Sequence, residues 1–149
     1  MNEKEFKESK LVFNEKGIYL GKIALMNAYE ETWIRKEVRK FYEKYKPKSV
    51  LEIGFGLGYT ADEFQKQGIK RHVIIEAHPE VYWKAEQWAK GKKGVWIINN
   101  FVQHVGLCET FDLVFDDRQE MVFIDKPDFP CNNFSYLHYE QIILPEVVE

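Results

Sequence analysis

Three glycines at alternate positions, Gly54, Gly56 and Gly58, follow the apolar run Val50-Leu51-Glu52-Ile53. An acid, Glu76, closes a second apolar run, Val73-Ile74-Ile75, twenty residues after Gly56. Glycine accepts positive φ and lets backbone N–H groups approach a ligand closely. A carboxylate at the end of the neighbouring strand can accept hydrogen bonds from both hydroxyls of a ribose. Together these features lay out a site for a nucleotide-type cofactor at the carboxyl end of a strand. A glycine turn alone reads as a tight bend. The strand before it, the helical pattern after it and the spaced acid favour a binding site.

The spacing narrows the ligand. A dinucleotide fingerprint, G-x-G-x-x-G, needs a glycine at position 59 when counted from Gly54, and that residue is Tyr59; counted from Gly56, the slot holds Ala61. A nicotinamide-dependent oxidoreductase is therefore disfavoured. The order E-x-G-x-G-x-G, from Glu52 to Gly58, fits a turn cradling the amino-acid end of S-adenosylmethionine. Glu52, flanked by Leu51 and Ile53, needs a polar partner. We expect it to organise the turn through backbone N–H groups or water; an ordinary acid at a strand end is the alternative.

Periodicity supplies the elements that must position these residues. Helical spacing predicts helices over about 30–45 (Trp33, Ile34, Val38, Phe41, Tyr42), 61–67, 79–90 and 134–148, the last disturbed by Pro145. Short apolar runs predict strands at 49–53, 71–75, 95–98 and 113–115. Residues 1–28 read as an N-terminal capping arm. Alternating strands and helices give an α/β fold, a parallel sheet with helices on both faces, in a single domain over 1–149.

Four segments resemble the class I S-adenosylmethionine-dependent methyltransferases, and within them the guanidinoacetate N-methyltransferase group with its arginine-methylating relatives. Leu25-Met26-Asn27-Ala28-Tyr29-Glu30-Glu31-Thr32 is similar to that group's M-M-x-x-W-E-x-P, with Tyr29 for Trp and Thr32 for Pro. Val50 to Gly56 is similar to V-L-E-V-G-F-G, His72 to Glu76 to H-x-I-I-E, and Phe111 to Asp117 to F-D-x-I-x-Y-D. The resemblance spans roughly residues 19–149 and implies a Rossmann-like sheet of strand order 3-2-1-4. It also implies that the usual C-terminal strands are lacking. The cofactor set becomes Glu52, Gly54, Phe55, Gly56, Gly58 and Glu76, with Asn100 and Phe101 beside the adenine and Asp116 beside the transferable methyl. Glu30 and Asp117 take the positions of the family's acceptor-binding carboxylates. Such a pair suits a guanidinium, which carboxylates can orient bidentately and relieve of a proton. A solvated loop at Asp116 and Asp117, paired to Arg118, is the alternative.

Composition bounds the rest. A hydrophobic content of 45% and an aromatic content of 15% suffice for a core, and a net charge of −3 disfavours non-specific nucleic-acid binding. No apolar run reaches bilayer-spanning length, and residues 1–10 lack the apolar centre of a signal peptide, so a cytoplasmic protein is expected. Cys108 and Cys131 read as reduced structural thiols, with a disulfide as the alternative; no metal-ligand spacing is present. His72 and His138 read as structural. A fourth strand as apolar as Leu113-Val114-Phe115 should not stand as an open edge. We expect it to be covered by the 134–148 helix, a second copy or a partner chain. The expected function is methyl transfer to a nitrogen of a small guanidino or amino acceptor. The alternative is a cofactor-binding subunit, inactive alone and completed by a partner.

Overall fold

The computed structural model describes residues 1–107, 109–116, 121–125 and 139–143. Asp117, Arg118, Cys108, Cys131 and His138 lie outside these described residues.

The N-terminal arm has more structure than its sequence suggests. Helix α1 (Glu3–Glu8) leads into strands β1 (Val12–Asn14), β2 (Gly17–Leu20) and β3 (Ile23–Asn27), which form an antiparallel meander. Asn2 caps α1 reciprocally with Glu5, each side chain meeting the other's backbone N–H. Charged residues scattered through this stretch conceal the short strands, which pair only with each other.

A 3-10 turn (Ala28–Glu30) then opens α2 (Glu31–Tyr45), which is followed by β4 (Ser49–Ile53), α3 (Tyr59–Gln67), β5 (Arg71–Glu76), α4 (Pro79–Ala89) and β6 (Val95–Asn99). Each falls within two residues of its predicted position. After a 3-10 turn at Val102–His104 come β7 (Leu113–Asp116), β8 (Met121–Asp125) and β9 (Tyr139–Ile143). The large sheet has the order β6-β5-β4-β7-β8-β9. Its first four strands are parallel and carry the expected 3-2-1-4 order.

Two expectations about the C-terminal side need correction. Residues 139–143, predicted within a helix, form β9. The strand-four edge is paired within the chain, where a helix, a second copy or a partner was expected: β8 pairs antiparallel with β7, and β9 with β8. Tyr139, Ile142 and Ile143 are strand formers, and an apolar edge with unpaired N–H and C=O groups gains by pairing in register. That gain outranks the weak helical spacing. The sheet therefore continues past β7 with an antiparallel pair, in place of the open edge that the sequence suggested.

One face of the parallel sheet, carrying Val50, Leu113 and Phe115, packs on Ile34, Val38 and Phe41 of α2 and Phe64 of α3. Val81 and Ala85 of α4 meet Ile74 on that face. The opposite face, with Leu51, Ile53, Val73, Ile75 and Val114, is covered by Val102, Val105, Leu107 and Phe111. Its cover among the described residues is thus a 3-10 turn and a loop instead of a long helix. At the amino end of the sheet, Asp112 Oδ2 accepts the Lys48 and Ser49 N–H groups at 2.8 and 3.4 Å, pinning the start of β7 to that of β4. No helix among the described residues is long and apolar enough to cross a membrane.

Candidate functional site

The turn between β4 and α3 is shaped by its glycines. Gly56 has φ +58°, and a Cβ there would collide with the Met26 thioether. Gly58 has φ +83°, and a Cβ would come within 2.7 Å of the Phe55 ring. At both positions the left-handed φ strains any other residue, and the neighbouring side chain would have to shift to admit one. Met26 Sδ also accepts the Leu57 N–H at 2.9 Å, so β3 lies directly against the turn.

Glu76, at the end of β5, joins two turns. Its Oε1 accepts the Phe55 N–H at 2.9 Å and its Oε2 accepts the His78 N–H at 2.8 Å. The Asn99 amide donates to the carbonyls of Glu76 and Ala77 at 2.9 and 3.2 Å, fixing the end of β5 to that of β6. Asn100 Oδ1 accepts the Phe101 N–H at 2.9 Å, which sets the bend after β6.

These ends surround a cavity of about 890 Å³, ample for a small-molecule site. Of the residues singled out in the sequence, Glu30, Gly54, Gly56, Glu76, Asn100 and Phe101 line it. The others are placed differently. Phe55 turns its ring away, against Trp88 at 5.4 Å between centroids, and contributes its N–H to Glu76. Gly58 begins α3. Asp116 is fully buried at the end of β7, in register with Ile53. Asp117 lies outside the described residues.

Glu52 does not line the cavity. Its carboxylate is fully buried on the helix-covered face, with Oε1 3.0 Å from His72 Nε2. Gln65 Nε2 donates to His72 Nδ1 at 3.0 Å, which places the imidazole proton on Nε2, facing Glu52. Burial pushes His72 down to about 3, so the contact is a hydrogen bond to neutral imidazole, not an ion pair. The polar partner that Glu52 requires is thus the strand neighbour His72, and the turn's N–H that was expected to meet Glu52 goes to Glu76 instead.

Sequence spacing missed the part played by the N-terminal arm. Glu3 and Phe6 of α1 line the cavity, as do Met26 and His78. The Phe6 and Phe101 rings lie 6.0 Å apart, and the Lys7 ammonium stands 5.4 Å from the Phe101 ring centre. Glu3 meets His104 Nε2 at 2.9 Å, and this bond holds its carboxyl below the usual range. Only His78 carried a local signal, a polar residue directly before the helix-opening Pro79. The contacts of α1 cross most of the chain, and no spacing rule reaches that far.

The parallel sheet, the glycine turn and the acid one strand away define a Rossmann-like domain of the methyltransferase fold. Among solved structures, the SAH-bound Podospora anserina methyltransferase PaMTH1 superposes with a TM-score of 0.51 and 24% identity, over 64% of this chain and 42% of that one. The N-terminal domain of EvdMO1, solved with SAH and D-fucose, gives 0.50 and 20%, over 75% and 48%. Residues 3–118 match the sequence profile of guanidinoacetate N-methyltransferase, and the chain belongs to that family. Protein arginine N-methyltransferase 2 of Gibberella zeae is 34% identical over 83 residues, covering 54% of this chain and 19% of that protein. The chain thus spans about a fifth of that relative and under half of either solved chain.

Proposed function

We propose that this protein binds S-adenosylmethionine and transfers its methyl group to a nitrogen of a small guanidino or amino acceptor. The observation that carries this is Glu76, held at the cavity wall by N–H groups from the two turns that border it. An ionised carboxylate offers about four acceptor sites, so Glu76 retains capacity for a ribose diol. Gly54 and Gly56 would face the amino-acid end of the cofactor, and Asn100 and Phe101, which line the same cavity, would meet the adenine. Phe55 and Gly58 shape the turn from behind. Glu52 and Asp116 support the ends of β4 and β7 from within.

The bound cofactor would supply an electrophilic methyl on a sulfonium. Glu30, on the cavity wall, holds a cationic acceptor and orients its nitrogen toward that methyl. Glu30 would also accept the proton that the acceptor nitrogen gives up on methylation. Asp117, outside the described residues, is its partner on the strength of the family resemblance. The acceptor class draws its support from the family's name and from the arginine methyltransferase relative. In this reading residues 1–149 act as one domain, with 1–28 as its cap.

Calorimetry with S-adenosylhomocysteine tests the cofactor half, and absence of binding would overturn it. A methyl-transfer assay over guanidino and amino acceptors tests the other half. Turnover lost in Glu30→Gln with cofactor affinity intact is the expected result; full turnover in that variant would remove Glu30 from the mechanism.

A further inference from the structure

We propose that His78 is a positioning residue, which latches the N-terminal arm across the nucleoside end of the cavity and registers it against Glu76. The proposal rests on the cofactor reading of that cavity, but its structural half stands without a ligand.

His78 is 1% exposed, and every polar atom it offers to this region is engaged. Its backbone N–H donates to Glu76 Oε2 at 2.8 Å. Its Nδ1 accepts the Glu80 N–H at 3.1 Å, capping α4. With Nδ1 an acceptor, the ring proton is on Nε2, which faces the Ser9 carbonyl at 2.9 Å and the Ser9 hydroxyl oxygen at 3.2 Å. The Ser9 hydroxyl in turn donates to the Phe6 carbonyl at 2.6 Å. The Phe6 ring meets the His78 ring edge to face at 5.2 Å. Two residues further on, Glu80 Oε1 accepts the Leu11 N–H at 3.3 Å. One end of the arm is thereby fastened to the residues that follow Glu76.

The other end is fastened across the cavity, where Glu3 takes hydrogen bonds from Gln103 and His104 at 2.9 Å. Between these anchors α1 turns Phe6 toward Phe101. Of the two anchors, the one at Glu3 is solvent-exposed and worth little. The one at His78 is buried and shares a residue with Glu76. A shift of Glu76 or of the turn after β5 therefore moves the Ser9 attachment with it, and the arm reports the state of the cofactor acid.

His78→Asn separates this role from helix capping. Asparagine keeps an oxygen for the Glu80 N–H but is too short to reach Ser9. Hydrogen exchange of the unliganded protein is expected to show the amides of residues 3–11 exchanging about tenfold faster, the equivalent of one lost buried hydrogen bond. Exchange in α4 should stay as in the native chain. S-adenosylhomocysteine should also dissociate about tenfold faster from the variant. Arm exchange within twofold of native overturns the proposal, as does a looser arm with an unchanged dissociation rate. Should H78N fail to fold, Phe6→Ala loosens the same latch from the arm side, and native exchange over residues 3–11 in that variant is equally fatal. Native protein that binds no S-adenosylhomocysteine, yet whose arm responds to H78N, sinks the cofactor reading and spares the latch. Binding with an unresponsive arm does the reverse.

Discussion

Each oxygen of Glu76 accepts a backbone N–H, one from the turn before α3 and one from the start of α4. Glutamine can supply only one acceptor oxygen there, and its amide would face a donor. We expect Glu76→Gln to weaken S-adenosylhomocysteine binding by at least about tenfold and to lower stability by about 1–2 kcal/mol, read by calorimetry and urea melts. Native affinity in that variant would detach Glu76 from the ligand. Gly58→Ala should cost about 1–3 kcal/mol, since the left-handed φ and the Phe55 ring both resist a methyl group. His72 gives a pH signature. Its folded-state value, about 3, lies below the 6.5 of a free imidazole, so the unfolded chain takes up a proton that the folded chain refuses. The stability tied to this group is complete above about pH 6.5 and is lost progressively as pH drops toward 3. Denaturant melts from pH 7 to 4 should show this slope, and His72→Gln should flatten it; an equal slope in both chains would locate the effect elsewhere. Gly56 and Glu76 were legible in the sequence, because strand ends and turn chemistry are local. The burial of Glu52 against His72 was half legible: its need for a partner was plain, but the partner depended on strand register.

Helices α2 and α3 join through ion pairs as well as through their apolar stripe. Arg39 Nη1 lies 2.6 Å from Glu63 Oε1, and the Glu63 side chain is only 5% exposed. Arg39→Ala leaves that carboxylate without this partner, and we expect a loss of about 1–3 kcal/mol in a thermal or urea melt. A loss below about 0.5 kcal/mol would show the pair to behave like an ordinary surface bridge. The helices and strands that alternate between residues 31 and 99 were readable because each carries its own period and its own stop. Lys46, at φ +47°, ends α2 just before Pro47, and Gly68 ends α3. Two regions were not readable. The meander β1-β2-β3 is a set of very short strands in a charged stretch, where no period has room to develop. Strand β9 shares its apolar spacing with a helix, and only the demand of β8 for a second neighbour decides between them.

At the scale of the molecule, β8 is the strand that protects the parallel sheet. It lies between β7 and β9, so its backbone groups are used on both sides. A proline at 122 removes an N–H from that ladder. We expect Val122→Pro to expose β7 and to raise self-association over the native chain at equal concentration, seen by sedimentation; unchanged sedimentation would mean that another element shields the edge. The pin from Asp112 to Ser49 has a consequence for synthesis. Those residues are 63 positions apart, whereas β4 pairs with β5 and β5 with β6, in each case the next strand along the chain. Everything that lines the cavity, from α1 to Val102, precedes β7 in the chain. The part of the chain that carries the cavity is therefore made first, with one flank of β4 still vacant. Strands β7, β8 and β9 follow later in the chain and complete the sheet beside that cavity.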